Sequence, residues 1–412
     1  MGQRDDDKKI LWHTLAFMAF STVWGFGNVI NGFSEYGGLR AIVSWILIFA
    51  IYFVPYALMV GELGSTFKDA GGGVSSWIQE TIGPRMAYYA GWTYWVVHMP
   101  YISQKPNSTV IAASWALFQD KRASSMDTTV MQLICLVIFL FAMYLSSKGM
   151  GVLKRLSALA GSTMFIMSML FIAMMVAAPA LTGGTFMTIQ WSLKTFIPTF
   201  DASFFMGLSI LVFAVGGCEK ISPYVNKMKD PSRDFSKGMA ALALMVAVTA
   251  ILGTVALGMM FDSSHIPPDL MTNGAYYAFQ RLGEYYHMGN FFVIVYALTN
   301  LIGQFSVMVL SVDAPLRMLL DSADTRFIPR KMFEKNEHGT YVNGHRLVML
   351  IVCVLIIVPA FGIRNVDVLV RWLVKVNSVC MPLRYLWVFV AYIALKKAGD
   401  AYHAQYRFLK GR

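Results

Sequence analysis

The chain has 412 residues, 57% of them hydrophobic and only 14% charged, with a formal net charge of +11. A soluble domain carries about 25% charged residues, so a deficit spread over the whole length excludes a globular protein on one anchor and indicates a polytopic membrane protein. The positive balance does not point to nucleic acid, because the basic residues sit in loops between apolar segments, where membrane topology places them.

A membrane crossing takes about 20 apolar residues, and about ten segments meet that need. In chain order they are 10–31, 39–64, 84–118, 128–147 and 152–177, then 204–224, 238–260, 290–320, 347–361 and 368–395. This divides the chain into a cytoplasmic N-terminus (1–9), a first five-helix repeat (10–177), an extracellular connector (178–203), a second five-helix repeat (204–395) and a cytoplasmic tail (396–412). Met1 to Lys9 is charged and has no small-residue cleavage site, so the first apolar segment reads as a retained helix rather than a signal peptide. With the N-terminus inside, roughly 23 of the 34 Lys and Arg fall on the cytoplasmic side and about 6 outside. The outside set is Arg40, Lys121, Arg122, Lys194, Arg281 and Arg364. An odd number of crossings per half then makes the halves antiparallel, although no residue-level identity between them is evident.

Two apolar segments are interrupted. The first contains Trp24-Gly25-Phe26-Gly27-Asn28, and the sixth contains Phe213-Ala214-Val215-Gly216-Gly217-Cys218-Glu219-Lys220. In lipid an unsatisfied backbone amide costs several kcal/mol, and a charge at the bilayer centre about 2.5–3.5 kcal/mol. Such stretches persist where they face protein or a water-filled cavity, and matched breaks in two halves are the pointer to a secondary transporter. At Gly25-Phe26-Gly27-Asn28 glycine permits unwinding, and the freed N–H groups at the start of a half-helix suit a carboxylate. The alternative is close helix packing through small residues. Glu219 reads either as a protonatable coupling group or as a structural acceptor; Lys220, its immediate neighbour, would not face it on a helix.

These residues carry a resemblance. Gly25-Phe26-Gly27 resembles the G-x-G of helix one in amino-acid permeases of the amino acid–polyamine–organocation superfamily, which have the LeuT-like 5+5 inverted repeat, an all-α membrane fold with helices 1 and 6 broken. Gly61-Glu62-Leu63-Gly64, then Ala70-Gly71-Gly72-Gly73, Trp77 and Gly83-Pro84, resembles the family's segment around the end of helix two. Gly217-Cys218-Glu219 followed by Lys229-Asp230-Pro231-Ser232-Arg233 resembles G-x-E…KNPxR, with Asp in place of Asn. The resemblance runs in order over nearly the whole chain and is nearest to the glutamate/GABA-antiporter-like members. It implies that Gly25, Phe26 and Gly27 take a substrate α-carboxylate with Asn28 beside them, that Phe213, Ala214 and Val215 take the α-amino group next to Gly216, and that Phe213 is an aromatic gate. Such permeases usually have twelve crossings; the ten here correspond to the transport core.

Other polar residues need a place. Lys105 lies mid-segment, where a lysine cannot easily snorkel; it reads as a counter-charge for an acidic substrate, a stand-in for a coupling cation, or a partner of a buried acid such as Glu219. Pro100 and Pro106 suggest local bending beside it. His98 reads as a satisfied interior histidine or a proton carrier. Some relatives carry a lysine in the middle of helix five; here Ser162 and Thr163 stand there, with hydroxyls that could help ligate sodium. Glu62 reads as a structural grip on the intracellular loop, and Asp313 and Arg317 as a local i, i+4 pair. Arg371, Lys375 and Arg384 must face protein, a vestibule or missing helices rather than lipid.

Four cysteines without paired spacing read as free thiols. Gly71-Gly72-Gly73 lacks the Lys-Ser/Thr of a phosphate loop, and no catalytic motif or metal spacing appears in proper context. The chain therefore reads as a carrier rather than an enzyme, without cofactor or metal. It is expected to exchange, or co-transport with protons, an amino acid or related amine across a cell membrane by alternating access. The alternative is an amino-acid sensor or assembly partner that binds without turnover; the oligomeric state is left open.

Overall fold

The computed structural model describes residues 10–70, 73–182, 192–262, 265–321, 323–362, 365–402 and 406–409. Segment 1–9, Gly71, Gly72, Gly183, Gly184 and Arg364 lie outside the described residues. The described chain is almost entirely helical. Helices α1 (Trp12–Val23) and α2 (Phe26–Glu35) are the two halves of the first segment. Then come α3 (Ala41–Thr66, with a π-turn at Phe49–Phe53), α4 (Val74–Thr81), α5 (Pro84–Phe118), α6 (Thr128–Ser146) and α7 (Met150–Thr182). The second half has α8 (Ala202–Val215), a 3-10 segment at Cys218–Lys227, α9 (Pro231–Gly258), α10 (Leu270–Tyr285) and α11 (Phe291–Leu320). It ends with α12 (Val342–Ile357), α13 (Val366–Cys380) and α14 (Tyr385–Lys397).

Among the described residues, eight helices are long and apolar enough to cross a membrane. The sequence reading counted ten. The two others are the broken α1–α2, whose halves have 12 and 10 residues, and α5, a 35-residue helix bearing buried His98, Gln104 and Asn107. Large apolar side chains such as Ile51, Val137, Leu244 and Leu350 are exposed on these helices, as lipid contact requires. All four cysteines are free.

α5 and α11 pack along their length, α1 lies between α7 and α9, and α9 covers α3. α5 stays helical through Pro100 and Pro106. Elements not predicted from the sequence include α4, α10, which packs on α2 and α11, and the 3-10 turn Met381–Arg384 that divides the tenth segment. Pro382 opens that turn, since proline cannot donate to a continuing helix.

Close helix approach depends on Gly161 of α7, where an added Cβ would overlap the carbonyl oxygen of Phe17 in α1. Gly161→Ala should lower stability by about 1–3 kcal/mol, the usual range for overpacking. Gly151, on the same helix, meets nothing within 4 Å, so Gly151→Ala should be neutral or stabilising. Thermal unfolding of both variants in detergent checks the contrast.

Candidate functional site

The two breaks meet. At the first, Trp24 (φ −130°, ψ 140°) and Gly25 (φ −144°, ψ 158°) are extended, and the helix restarts at Phe26. The N–H groups of Phe26 and Gly27 open α2 with no preceding helical turn to accept them, while that of Asn28 donates to the Gly25 carbonyl at 2.9 Å, and the positive end of the half-helix points into the gap. At the second, Gly216 is extended and Gly217 has φ +111°, a left-handed conformation that favours glycine. Asn28 joins the breaks: its Nδ2 donates to the carbonyl of Val23 at 3.2 Å and to that of Ala214 at 3.0 Å.

Between them lies a cavity of about 150 Å³, a size known to hold a benzene-sized guest. Gly25, Gly27, Asn28, Phe213, Ala214 and Gly216 line it, as the sequence reading expected. A Cβ on Gly27 would meet nothing within 4 Å, so this glycine faces open space. Phe213 stands edge-on to Tyr101, with centroids 6.1 Å apart. Phe26 and Val215 do not line the cavity. The Phe26 ring turns away into a cluster with Phe171, Phe279 and Tyr296, and Val215 is fully buried.

Lys105, Lys220 and Arg384 line the cavity, and no Asp or Glu does among the described residues. Arg384, 1% exposed, places Nε 3.2 Å from Oε1 of the fully buried Glu219, which also accepts from the Tyr94 hydroxyl. Its Nη2 donates to the Tyr385 hydroxyl at 3.2 Å, and its Nη1 meets His98 Nε2. A guanidinium can only donate, so Nε2 accepts and Nδ1–H donates to the Tyr94 carbonyl at 2.6 Å. His98 is thus a satisfied interior histidine. Lys220 donates to Ser311 Oγ at 3.1 Å, and Lys105 to Gln304 Oε1 at 3.2 Å. Neither lysine makes an ion pair among the described residues. Both ammoniums lie over the ring of Tyr101, at 4.5 Å for Lys105 and 4.9 Å for Lys220.

Several sequence readings need correction. Glu219 pairs with Arg384 and Tyr94, not with Lys105. The Ser162 and Thr163 hydroxyls fold back onto carbonyls of their own helix, at Leu159 and Ala160. Glu62 grips the last helix and tail: it accepts from Tyr392 at 2.9 Å, from the Phe408 N–H at 2.9 Å and from Lys396. Of the three cations in the tenth segment only Arg384 is buried; Arg371 and Lys375 are exposed. Asp313 and Arg317 do pair, at 2.6 Å, with the Tyr224 hydroxyl on the same carboxylate. The sequence does not single out Arg384 as a site residue, although Pro382, two residues before it, marks a 3-10 turn within the last span.

A family profile described as amino acid permease matches residues 10–409. The chain belongs to this family. It is 50% identical to the aspartate/glutamate permease AcaP of Lactococcus lactis subsp. cremoris (strain MG1363), over 98% of this chain and 83% of that protein. It is 22% identical to the glutamate/gamma-aminobutyrate antiporter of Lactococcus lactis subsp. lactis (strain IL1403), over 84% of this chain and 68% of the antiporter. In structure it resembles MhsT in complex with L-phenylalanine, with a TM-score of 0.62 at 14% identity, covering 91% of this chain and 87% of that one. The fold is therefore LeuT-like, and the protein is a multi-pass membrane carrier of amino acids, not an enzyme.

Removing one member of a buried ion pair leaves a stranded charge and costs about 3–5 kcal/mol. Arg384→Met alone should therefore sharply reduce the folded fraction. Arg384→Met with Glu219→Gln should recover most of it, read by fluorescence-detected size exclusion after heating.

Proposed function

We propose that the protein is a secondary carrier of acidic amino acids, working by exchange or proton-coupled symport. One observation carries this reading: a cavity at two facing helix breaks is lined by three basic side chains, one of them paired with Glu219, and by no Asp or Glu among the described residues. Each buried lysine is expensive at membrane depth, and a guest with two carboxylates supplies the missing charge. The 50% identity to an aspartate/glutamate permease supports the same class. A diamine would meet two unpaired ammoniums and be repelled.

In this reading the α-carboxylate lies against the N–H groups of Gly25, Phe26 and Gly27. The α-ammonium meets carbonyls at Phe213, Ala214 and Val215, with Asn28 giving up the Ala214 carbonyl and Gly216 leaving room for approach. Phe213 closes over the substrate. Glu219, held by Arg384, couples the lower half of the broken sixth helix to the last helix. Residues 10–177 and 204–395 form the two inverted repeats, and both termini are cytoplasmic, as the Lys and Arg bias suggests.

Purified protein in liposomes loaded with unlabelled aspartate should accumulate labelled aspartate by counterflow. Release from a carrier requires modest affinity, so half-saturation should fall between micromolar and millimolar, about −8 to −4 kcal/mol. Unlabelled glutamate should compete, whereas arginine, agmatine and putrescine should not. Counterflow of a cationic amine in place of aspartate overturns the acidic class, and saturable binding without counterflow favours the sensor.

A further inference from the structure

The side-chain end of the cavity contains a directed row of hydrogen bonds that ends on α10. Lys105 Nζ donates to Gln304 Oε1 at 3.2 Å. Gln304 Nε2 donates to Asn300 Oδ1 at 3.2 Å, one turn away on α11. Asn300 Nδ2 donates to the Tyr276 hydroxyl at 2.8 Å. All four residues line the cavity. Tyr276 belongs to α10 and lies flat on Trp115, with centroids 5.2 Å apart and planes 4° apart, so the far end of the row is anchored. An ammonium can only donate. The row therefore has one consistent direction, and Gln304 must turn its oxygen toward Lys105.

The consequence is electrostatic. Gln304 satisfies one proton of Lys105 without cancelling its charge, and the aromatic face of Tyr101 holds the same ammonium without cancelling it either. A carboxylate at position 304 would form an ion pair and close the site to an acidic guest. We propose that Lys105 receives the side-chain carboxylate of the substrate, and that Gln304 is the positioning residue whose neutrality selects acidic amino acids over their amides. This rests on the acidic-substrate reading, and it assigns the discrimination to one neutral side chain one hydrogen bond away from the cation. Asn300 and Tyr276 extend the assignment: a guest that draws Lys105 toward itself pulls on a row that terminates in α10.

The test compares aspartate with asparagine, and glutamate with glutamine, as competitors of labelled-aspartate counterflow in wild type, Gln304→Glu and Lys105→Gln. In each variant the half-inhibitory concentration of the acid should rise about tenfold or more, equivalent to 1.4 kcal/mol, while that of the amide changes little. The acid-to-amide ratio is the readout, because general damage moves both members of a pair together. An unchanged ratio in variants that elute as folded protein overturns the proposal while leaving aspartate transport itself intact. Should either variant not fold, the wild type still decides: γ-methyl glutamate, which carries no side-chain charge, must compete at least about tenfold worse than glutamate. Equal competition by the ester overturns the assignment, whereas failure of wild-type aspartate counterflow removes the acidic reading beneath it.

Discussion

Everything at the centre of this protein is arranged around one carboxylate that cannot reach water. Glu219 is fully buried and held between the Arg384 guanidinium and the Tyr94 hydroxyl. A charge in that position has to be matched by a partner of good geometry. The partner sits in a 3-10 turn of the last segment, so the break after α8 and the break before α14 meet in one contact. The glycines follow from it. A side chain on Gly216 would overlap the Tyr385 hydroxyl, and one on Gly217 would crowd Arg384 in a backbone conformation already unfavourable to L residues.

Because Arg384 is committed to Glu219, the lysines are left over. Tyr101 is shared between them, presenting its ring to Lys105 and Lys220 alike. An aromatic face stabilises an ammonium by roughly 0.5–2 kcal/mol without neutralising it. In the proposed reading the empty cavity keeps basic groups that no lining carboxylate offsets among the described residues, and the side-chain carboxylate of an acidic amino acid pairs with one of them. In the proposed reading three separate features act together: the ion pair that engages Glu219, the Tyr101 ring shared by two lysines, and the amide of Gln304 beside Lys105.

The parts legible in the sequence were those whose cost is local. Glycines and charges inside apolar runs marked both breaks, and six of the eight expected binding residues line the cavity. Facing direction was not legible: Phe26 lies inside the first motif, yet its helix turns the ring into an aromatic cluster. The partners of Glu219 and Glu62 were hidden because they come from the far end of the chain, where only tertiary packing brings Arg384 and Lys396 within reach. α10 escaped because a search for long apolar runs passes over a 16-residue amphipathic helix. Ser162 and Thr163 had the right chemistry for a cation, but their hydroxyls are used up on their own helix, as threonine and serine commonly are.

The side-chain amide of Asn28 bridges the carbonyls of Val23 and Ala214, and this bears on the return journey of the unloaded carrier. A bare carbonyl left in a dry interior is penalised by its lost hydration. In the proposed binding mode, where the substrate ammonium takes the Ala214 oxygen, Asn28 acts as a built-in placeholder, so the vacated protein need not strand that group while it resets. In that binding mode the same residue sets a threshold for loading, since an incoming amine has to outcompete an amide already in position.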